Sequence, residues 1–296
     1  MCDTCGCNVT EANRNLIEAG GKHAKTEGGS EAVEVLQNLL HENNHRAAHN
    51  REHFDKHKVL AINLMSSPGS GKTALLEATI DALTHAQKKT NDAESLSIAV
   101  IEGDLETEND AQRIRDKNVP AIQITTGSAC HLDAYMVHDA LHNLPLDGLD
   151  IVFIENVGNL VCPASFDLGH HLNVTLLSVT EGDDKPAKYP VMFRGSDLTL
   201  ITKSDLLPFL DDFDVSKAEQ NIRNLANPAP VLQLSARKNI GMKEWIEWLK
   251  QQIKHYQAHL AQGETVLPKI QEDRIHKQHI HKEKSQAEEQ HIHAHG

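Results

Sequence analysis

The chain has 296 residues, enough for one large α/β domain with appendages or for two small domains. Lys plus Arg total 29 against 42 Asp plus Glu, a formal charge of −13 with no basic cluster interleaved with aromatics, which argues against sequence-independent nucleic-acid binding. No apolar run approaches the roughly 20 residues that span a bilayer, so the chain reads as soluble and cytoplasmic, without a membrane span.

The first seven residues hold three cysteines, in the run Cys2-Asp3-Thr4-Cys5-Gly6-Cys7. They are too close for a disulfide framework, and no apolar export segment surrounds them. A thiolate metal site in a reduced compartment fits better than a redox-sensitive arm, which makes Cys2, Cys5 and Cys7 candidate ligands. If Met1 is removed, the amine of Cys2 adds one nitrogen to three sulfurs, a set suited to square-planar Ni²⁺. Recruitment of a distant His would suit tetrahedral Zn²⁺ instead.

Thr10 and Glu11 open a short helix over 11–19, and Gly28-Gly29-Ser30 breaks the chain before a longer one from about residue 31 to 56. Residues 1–30 thus form a Cys-rich arm and 31–57 a His-rich helix. His41, His45, His49, His53 and His57 recur at steps of four, so neighbouring pairs share a face; each pair reads equally as a weak divalent-ion site or as a solvated face. His41-Glu42-Asn43-Asn44-His45 also matches the zinc-protease pattern, but a His repeat generates such pairs and no third ligand follows. Of 20 histidines, six lie in residues 1–58 and eight in 255–296, a peripheral distribution that suggests metal buffering rather than proton transfer.

The apolar run Val59–Met65 leads into Ser66-Ser67-Pro68-Gly69-Ser70-Gly71-Lys72-Thr73, and an amphipathic run follows. Strand, phosphate loop and helix in that order mark a nucleoside triphosphate site. Backbone N–H groups around Gly69, Ser70 and Gly71 would hold the phosphates, Lys72 would reach the β/γ oxygens, and the Thr73 hydroxyl would bind Mg²⁺. Ser66 stands where the usual pattern has Gly, so an altered approach to the loop with an intact anion nest is expected.

Downstream, strands are predicted at 59–65, 97–103, 121–126, 150–155, 173–179, 198–202 and 230–234. Helices are predicted at 72–87, 107–117, 131–143, 215–226 and 242–260. Apolar strands without alternation imply an α/β fold, a mostly parallel, doubly wound sheet buried on both faces by helices, over residues 58–262. The charged, His-rich tail 263–296 reads as disordered without metal.

Thr202-Lys203-Ser204-Asp205 follows one strand and Ser235-Ala236-Arg237 another. The Asp205 carboxylate can accept from guanine N1–H and the 2-amino group, the Lys203 stem can pack along the base, and a backbone N–H at Ser235-Ala236 can reach O6; GTP is therefore favoured over ATP. Glu155-Asn156-Val157-Gly158 ends a strand where GTPases usually carry Asp-x-x-Gly, with Glu155 suited to the Mg²⁺ shell and Gly158 to the γ-phosphate. Asp104 in Glu102-Gly103-Asp104 is the other candidate for Mg²⁺ or for orienting the attacking water. Lys72, Asp104 and Glu155 are thus the candidate catalytic groups. Cys130-His131 and Cys162 follow strands on the same sheet edge, a placement that favours a second metal site.

These motifs resemble the HypB family of hydrogenase nickel-incorporation GTPases, related to the urease accessory GTPases, over roughly residues 58–260. The resemblance implies a P-loop GTPase that delivers Ni²⁺ to the [NiFe]-hydrogenase large-subunit precursor, dimerises with nucleotide and works with a HypA-type nickel chaperone. It also implies a Ni²⁺ or Zn²⁺ site on Cys130, His131 and Cys162, and a high-affinity nickel motif at Cys2, Cys5 and Cys7. The alternatives are a nickel-storage protein with a regulatory GTPase domain and a urease-type accessory GTPase.

Overall fold

The computed structural model describes residues 29–89, 96–104, 109–127 and 129–269. The cluster Cys2, Cys5 and Cys7, the helix expected over 11–19 and the histidines from His276 onward lie outside the described residues.

Helix α1 (Gly29–His57) precedes strand β1 (Leu60–Ser66) and helix α2 (Lys72–Lys89). Then come β2 (Ile98–Asp104), α3 (Asn109–Arg115), β3 (Ala121–Thr125), α4 (Ala134–Leu141), β4 (Ile151–Glu155) and β5 (Leu172–Ser178). Two short helices, α5 (Lys185–Lys188) and α6 (Pro190–Arg194), lead to β6 (Leu198–Thr202), α7 (Val215–Asn224), β7 (Val231–Gln233) and α8 (Met242–Ala261). The seven strands form one sheet in the order β3-β2-β4-β1-β5-β6-β7, with every pairing parallel. All seven expected strands are present, shifted by at most one residue except at β7, which is shorter. Helices α5 and α6 are too short to show periodicity; each carries Pro in its first turn, where the missing N–H costs nothing. The helix expected at 131–143 starts only at Ala134, because the Asp133 carboxylate caps it by accepting from Met136 N at 2.8 Å. Cys130 and His131 therefore stay in the preceding loop.

Both faces of the sheet are buried, which is why β1 reads as a continuous apolar run. On one face Leu60, Ile62, Leu64, Val100, Phe153 and Val174 meet Leu75, Leu76 and Ile80 of α2 and Trp245 and Leu249 of α8. On the other, Ala61, Ile101, Val152 and Ile154 meet Phe54 of α1 and Val137 and Leu141 of α4. Beyond β5, Met65, Leu177 and Ile201 pack on Met192, Phe193 and Ile222.

Helix α1 docks largely through polar groups, although its composition suggests a solvated rod. Asn43, Asn50 and Arg51 are buried. Asn50 Nδ2 donates to Ala134 O and Leu168 O at 2.8 and 3.0 Å, and the Ala134 N–H donates to Asn43 Oδ1 at 2.9 Å. Arg51 donates to both Asp167 carboxylate oxygens at 2.7 Å and to His170 O. At the end of the helix, Asp55 accepts from Tyr256 of α8 at 2.8 Å and from buried His171 at 3.0 Å, whose Nδ1 accepts the Ala61 N–H. The loop that receives α1 turns at Gly169, where φ is +87° and an added Cβ would lie 2.4 Å from Asn50 Cβ and 2.6 Å from Ala47 O.

Gly169→Ala is therefore expected to destabilise the chain by about 2–3 kcal/mol, from left-handed strain plus overpacking against α1. The check is a lower urea midpoint at unchanged m-value.

Candidate nucleotide and metal site

Parallel pairing puts the carboxyl ends of the strands on one edge, and a cleft opens there, lined by Gly69, Gly71, Lys72 and Thr73 with Glu102, Asp104, Glu155 and Gly158. The phosphate loop leaves β1 through Ser66, which is fully buried; its hydroxyl donates to Ser67 O at 2.7 Å and accepts from Lys72 Nζ at 3.0 Å. Ser66 thus supplies a polar rest for the lysine. Gly69 and Gly71 hold φ of +73° and +97°, the left-handed turns a phosphate nest requires. Gly158 passes so close to the loop that an added Cβ would lie 2.7 Å from Pro68 Cα, which forces this residue to be glycine.

The floor of the cleft is acidic and buried. The Thr73 hydroxyl donates to Glu155 Oε1 at 2.9 Å, while Oε2 of Glu155 and Oε2 of Glu102 have no hydrogen-bond partner among the described residues. Burial raises Glu155 to a pKa of about 7 against the pull of Lys72 and Thr73, and burial plus the charge of Glu155 raises Glu102 to about 8. Burial likewise lowers Lys72. Unpartnered carboxylate oxygens beside a threonine hydroxyl are hard oxygen donors, which suits Mg²⁺.

Two further loops meet across the cleft. The Thr202 hydroxyl donates to Ser70 O at 2.8 Å, tying β6 to the phosphate loop. Lys203 adopts a left-handed conformation with φ of 57°, and the Ser235 hydroxyl donates to Asp205 Oδ1 at 2.6 Å. The expected guanine-reading residues Lys203, Asp205, Ser235 and Ala236 are thereby brought to one place.

Cys130, His131 and Cys162 also converge. Their donor atoms all lie within 4.8 Å of one another, with Cys130 Sγ 3.2 Å from Cys162 Sγ and 3.7 Å from His131 Nδ1. His131 stacks on Phe166 with ring centroids 4.0 Å apart, and burial lowers its pKa, which keeps the imidazole neutral and able to ligate. Two soft sulfurs and one nitrogen suit Ni²⁺ or Zn²⁺. Buried Asn156, next to Glu155, joins this site to the nucleotide cleft: its Oδ1 accepts from Leu132 N at 3.1 Å and from Val157 N at 3.0 Å, and its Nδ2 donates to Asn63 Oδ1 at 3.2 Å.

Sequence reasoning missed several residues of the site. Glu102 stands two positions before the singled-out Asp104, and only its burial beside Glu155 marks it. Glu181 accepts from the Ser67 and Ser70 hydroxyls at 2.5 Å each across more than a hundred residues. No arginine suggested itself from the sequence, yet Arg113 lines the cleft, held by Glu77 and Asp110.

A parallel sheet with a glycine-rich phosphate loop after its central strand, followed by Lys-Thr on a helix, defines a P-loop nucleotide-binding protein. The family described as CobW/HypB/UreG, nucleotide-binding domain, matches residues 60–233. Hydrogenase maturation factor HypB of Escherichia coli strain K12 is 49% identical over 232 residues, covering 78% of this chain and 77% of its own. The hydrogenase/urease maturation factor HypB of Helicobacter hepaticus is 39% identical, covering 77% of this chain and 91% of its own. A crystal structure of HypB from Helicobacter pylori in complex with nickel superposes with a TM-score of 0.66 at 39% identity, covering 72% of this chain and 96% of that one. HypB from Archaeoglobus fulgidus gives 0.65 at 36% identity, with 72% and 100% covered. The chain belongs to the HypB family of hydrogenase maturation factors, within the CobW/HypB/UreG P-loop GTPases.

Because Glu102 and Glu155 hold protons in the folded chain that the unfolded chain releases near 4.5, their burial lowers stability progressively as pH rises toward 8. The fall spans about pH 4.5 to 8 for Glu102 and about 4.5 to 7 for Glu155, while below about pH 6.5 buried His170 and His171, whose pKa values burial lowers, act in the opposite direction. Denaturation of Glu102→Gln in chelator should show a shallower decline across that window than the parent.

Proposed function

We propose that the chain hydrolyses GTP to GDP and phosphate and uses the nucleotide state to hold and release Ni²⁺ destined for the [NiFe]-hydrogenase large-subunit precursor. One observation carries this reading: Asn156 hydrogen-bonds to Leu132 beside His131 and stands between Glu155 and Gly158 of the loop facing the phosphate nest. A rearrangement of that loop on loss of the γ-phosphate moves the metal ligands without any intervening element. The nickel complex of the Helicobacter pylori relative supports the same cargo here.

In this mechanism the phosphates rest on the backbone N–H groups of Gly69–Thr73, and Lys72 leaves Ser66 to meet the β/γ oxygens. The Thr73 hydroxyl with Glu155 and Glu102 or Asp104 would hold Mg²⁺, which would supply charge neutralisation on those oxygens. Asp104 orients the attacking water, Gly158 N–H senses the γ-phosphate, and Asp205 with Lys203, Ser235 and Ala236 selects guanine. Cys130, His131 and Cys162 bind the Ni²⁺ or Zn²⁺ that the nucleotide controls, while Cys2, Cys5 and Cys7 form the tighter nickel site. The working unit is a nucleotide-dependent homodimer in the cytoplasm that collaborates with a HypA-type nickel chaperone; no described helix is long and apolar enough to cross a membrane.

Asp205→Asn should weaken GTP about 10- to 100-fold, the loss of a charge-assisted pair, and favour xanthosine triphosphate, whose 2-oxo group accepts from an amide. Competition binding with GTP, xanthosine triphosphate and ATP measures it; equal affinity of the parent for ATP and GTP contradicts guanine selection.

Coupling between the sites must be reciprocal, so GTP analogue and GDP should differ in their effect on Ni²⁺ affinity by about 5- to 150-fold, and Ni²⁺ should change their affinity ratio equally. Asn156→Ala should bring that factor toward one while every metal and phosphate ligand remains. Identical Ni²⁺ affinity in both nucleotide states of the parent would separate the two sites and end the mechanism.

A further inference from the structure

We propose that His138 and His142 form a further binding site for a divalent transition cation, separate from the Cys130, His131 and Cys162 group. The two imidazoles stand one turn apart at the end of α4, and their Nε2 atoms approach to 3.3 Å. Two nitrogens bound at about 2.0–2.1 Å to one tetrahedral ion are separated by about 3.3 Å, so the spacing is that of neighbouring ligands of a single metal.

Which nitrogen of His138 carries its proton follows from the hydrogen bonds around it. Asn50 Nδ2 donates to Ala134 O and Leu168 O, which leaves Asn50 Oδ1 as an acceptor facing His138 Nδ1 at 2.9 Å. His138 Nδ1 must therefore carry the proton, and Nε2 presents a lone pair toward His142. This is the arrangement that metal-binding imidazoles need, with the far nitrogen anchored and the near one free to ligate. The anchor is firm because Asn50 is fully buried.

The surroundings favour neutral, ligating rings. Burial, the Arg46 guanidinium, His142 and His53 all act to lower the pKa of His138, against Asp139. Burial, ahead of the nearby charges of His57, Lys56 and His142, lowers His53 in the same way. His57 continues the cluster, with its ring 5.1 Å from that of His53 and its Nδ1 2.8 Å from Asp147 Oδ1. A donor set of imidazoles selects Ni²⁺, Zn²⁺ or Cu²⁺ over Mg²⁺ and Ca²⁺. The site lies on the helix that directly follows His131, so a cation bound there is held beside the loop that carries the thiolate site.

The test uses the full chain, free of nucleotide, with Zn²⁺ alone and Ni²⁺ alone as probes. Equilibrium dialysis of the parent against His138→Gln/His142→Gln should show one ion per chain lost, with the rate of GTP hydrolysis unchanged. The single variant His142→Gln alters only an exposed ring and keeps the fold; it should weaken the same ion at least tenfold. Long-range proton–nitrogen NMR of the parent should show the Nδ1–H tautomer of His138, and Zn²⁺ should shift the Nε2 signals of His138 and His142 together. Parent-like stoichiometry and affinity in both variants, or Nε2 signals that do not move at saturating Zn²⁺, would overturn the proposal.

Discussion

Parallel pairing of β1 between β4 and β5 is the constraint on which the rest of the molecule depends. Parallel neighbours require crossovers, so every strand delivers its carboxyl end to the same edge and every helix is thrown onto a face. The loops after β1, β2, β4, β6 and β7 then have no choice but to meet. Short polar ties convert that meeting into a defined site: Thr202 to the Ser70 carbonyl, Ser235 to Asp205, Thr73 to Glu155.

The site is held together in a state that favours ligand over its own stability. Two buried carboxyls with raised pKa values face one buried lysine with a lowered one, and each carboxyl keeps an oxygen without a partner among the described residues. Desolvation outweighs the attraction of Lys72 here, so the two carboxyls are left poorly compensated. A divalent ion and a polyphosphate together supply what burial has removed. Perturbed groups of this kind cluster where chemistry is done.

Polar groups also carry information through the core. Asn156, Asn63 and Asn173 bond in series across β4, β1 and β5, with Asn173 Nδ2 reaching Gly195 O at 3.3 Å. Buried amides of this sort hold their neighbours in one register, since any shift leaves a donor unsatisfied. The loop bearing His131 is tied into that row through Leu132, and α1 is tied to α4 through Asn43 and Asn50. The helix that looks solvated by composition is thus a structural wall against which α4 and its histidines are placed.

Periodicity and local motifs determined the elements from the sequence alone: apolar runs of five to seven residues between turn signals fit strands of a sheet covered on both faces, and Lys72-Thr73 after a glycine-rich loop fits the opening of a helix at an anion nest. Positions at strand ends and in the loops that follow them marked Glu155, Gly158, Asp205 and Cys162 for the same reason, because chain order fixes the sheet edge. What the sequence could not contain is contact between residues far apart in it. The burial that raises Glu102, the reach of Glu181 to Ser67 and Ser70, the approach of Arg113 to the cleft and the docking of α1 by Asn50 on Gly169 all depend on which surfaces meet. Desolvation and close approach are properties of three-dimensional surroundings, and only the tertiary structure decides them.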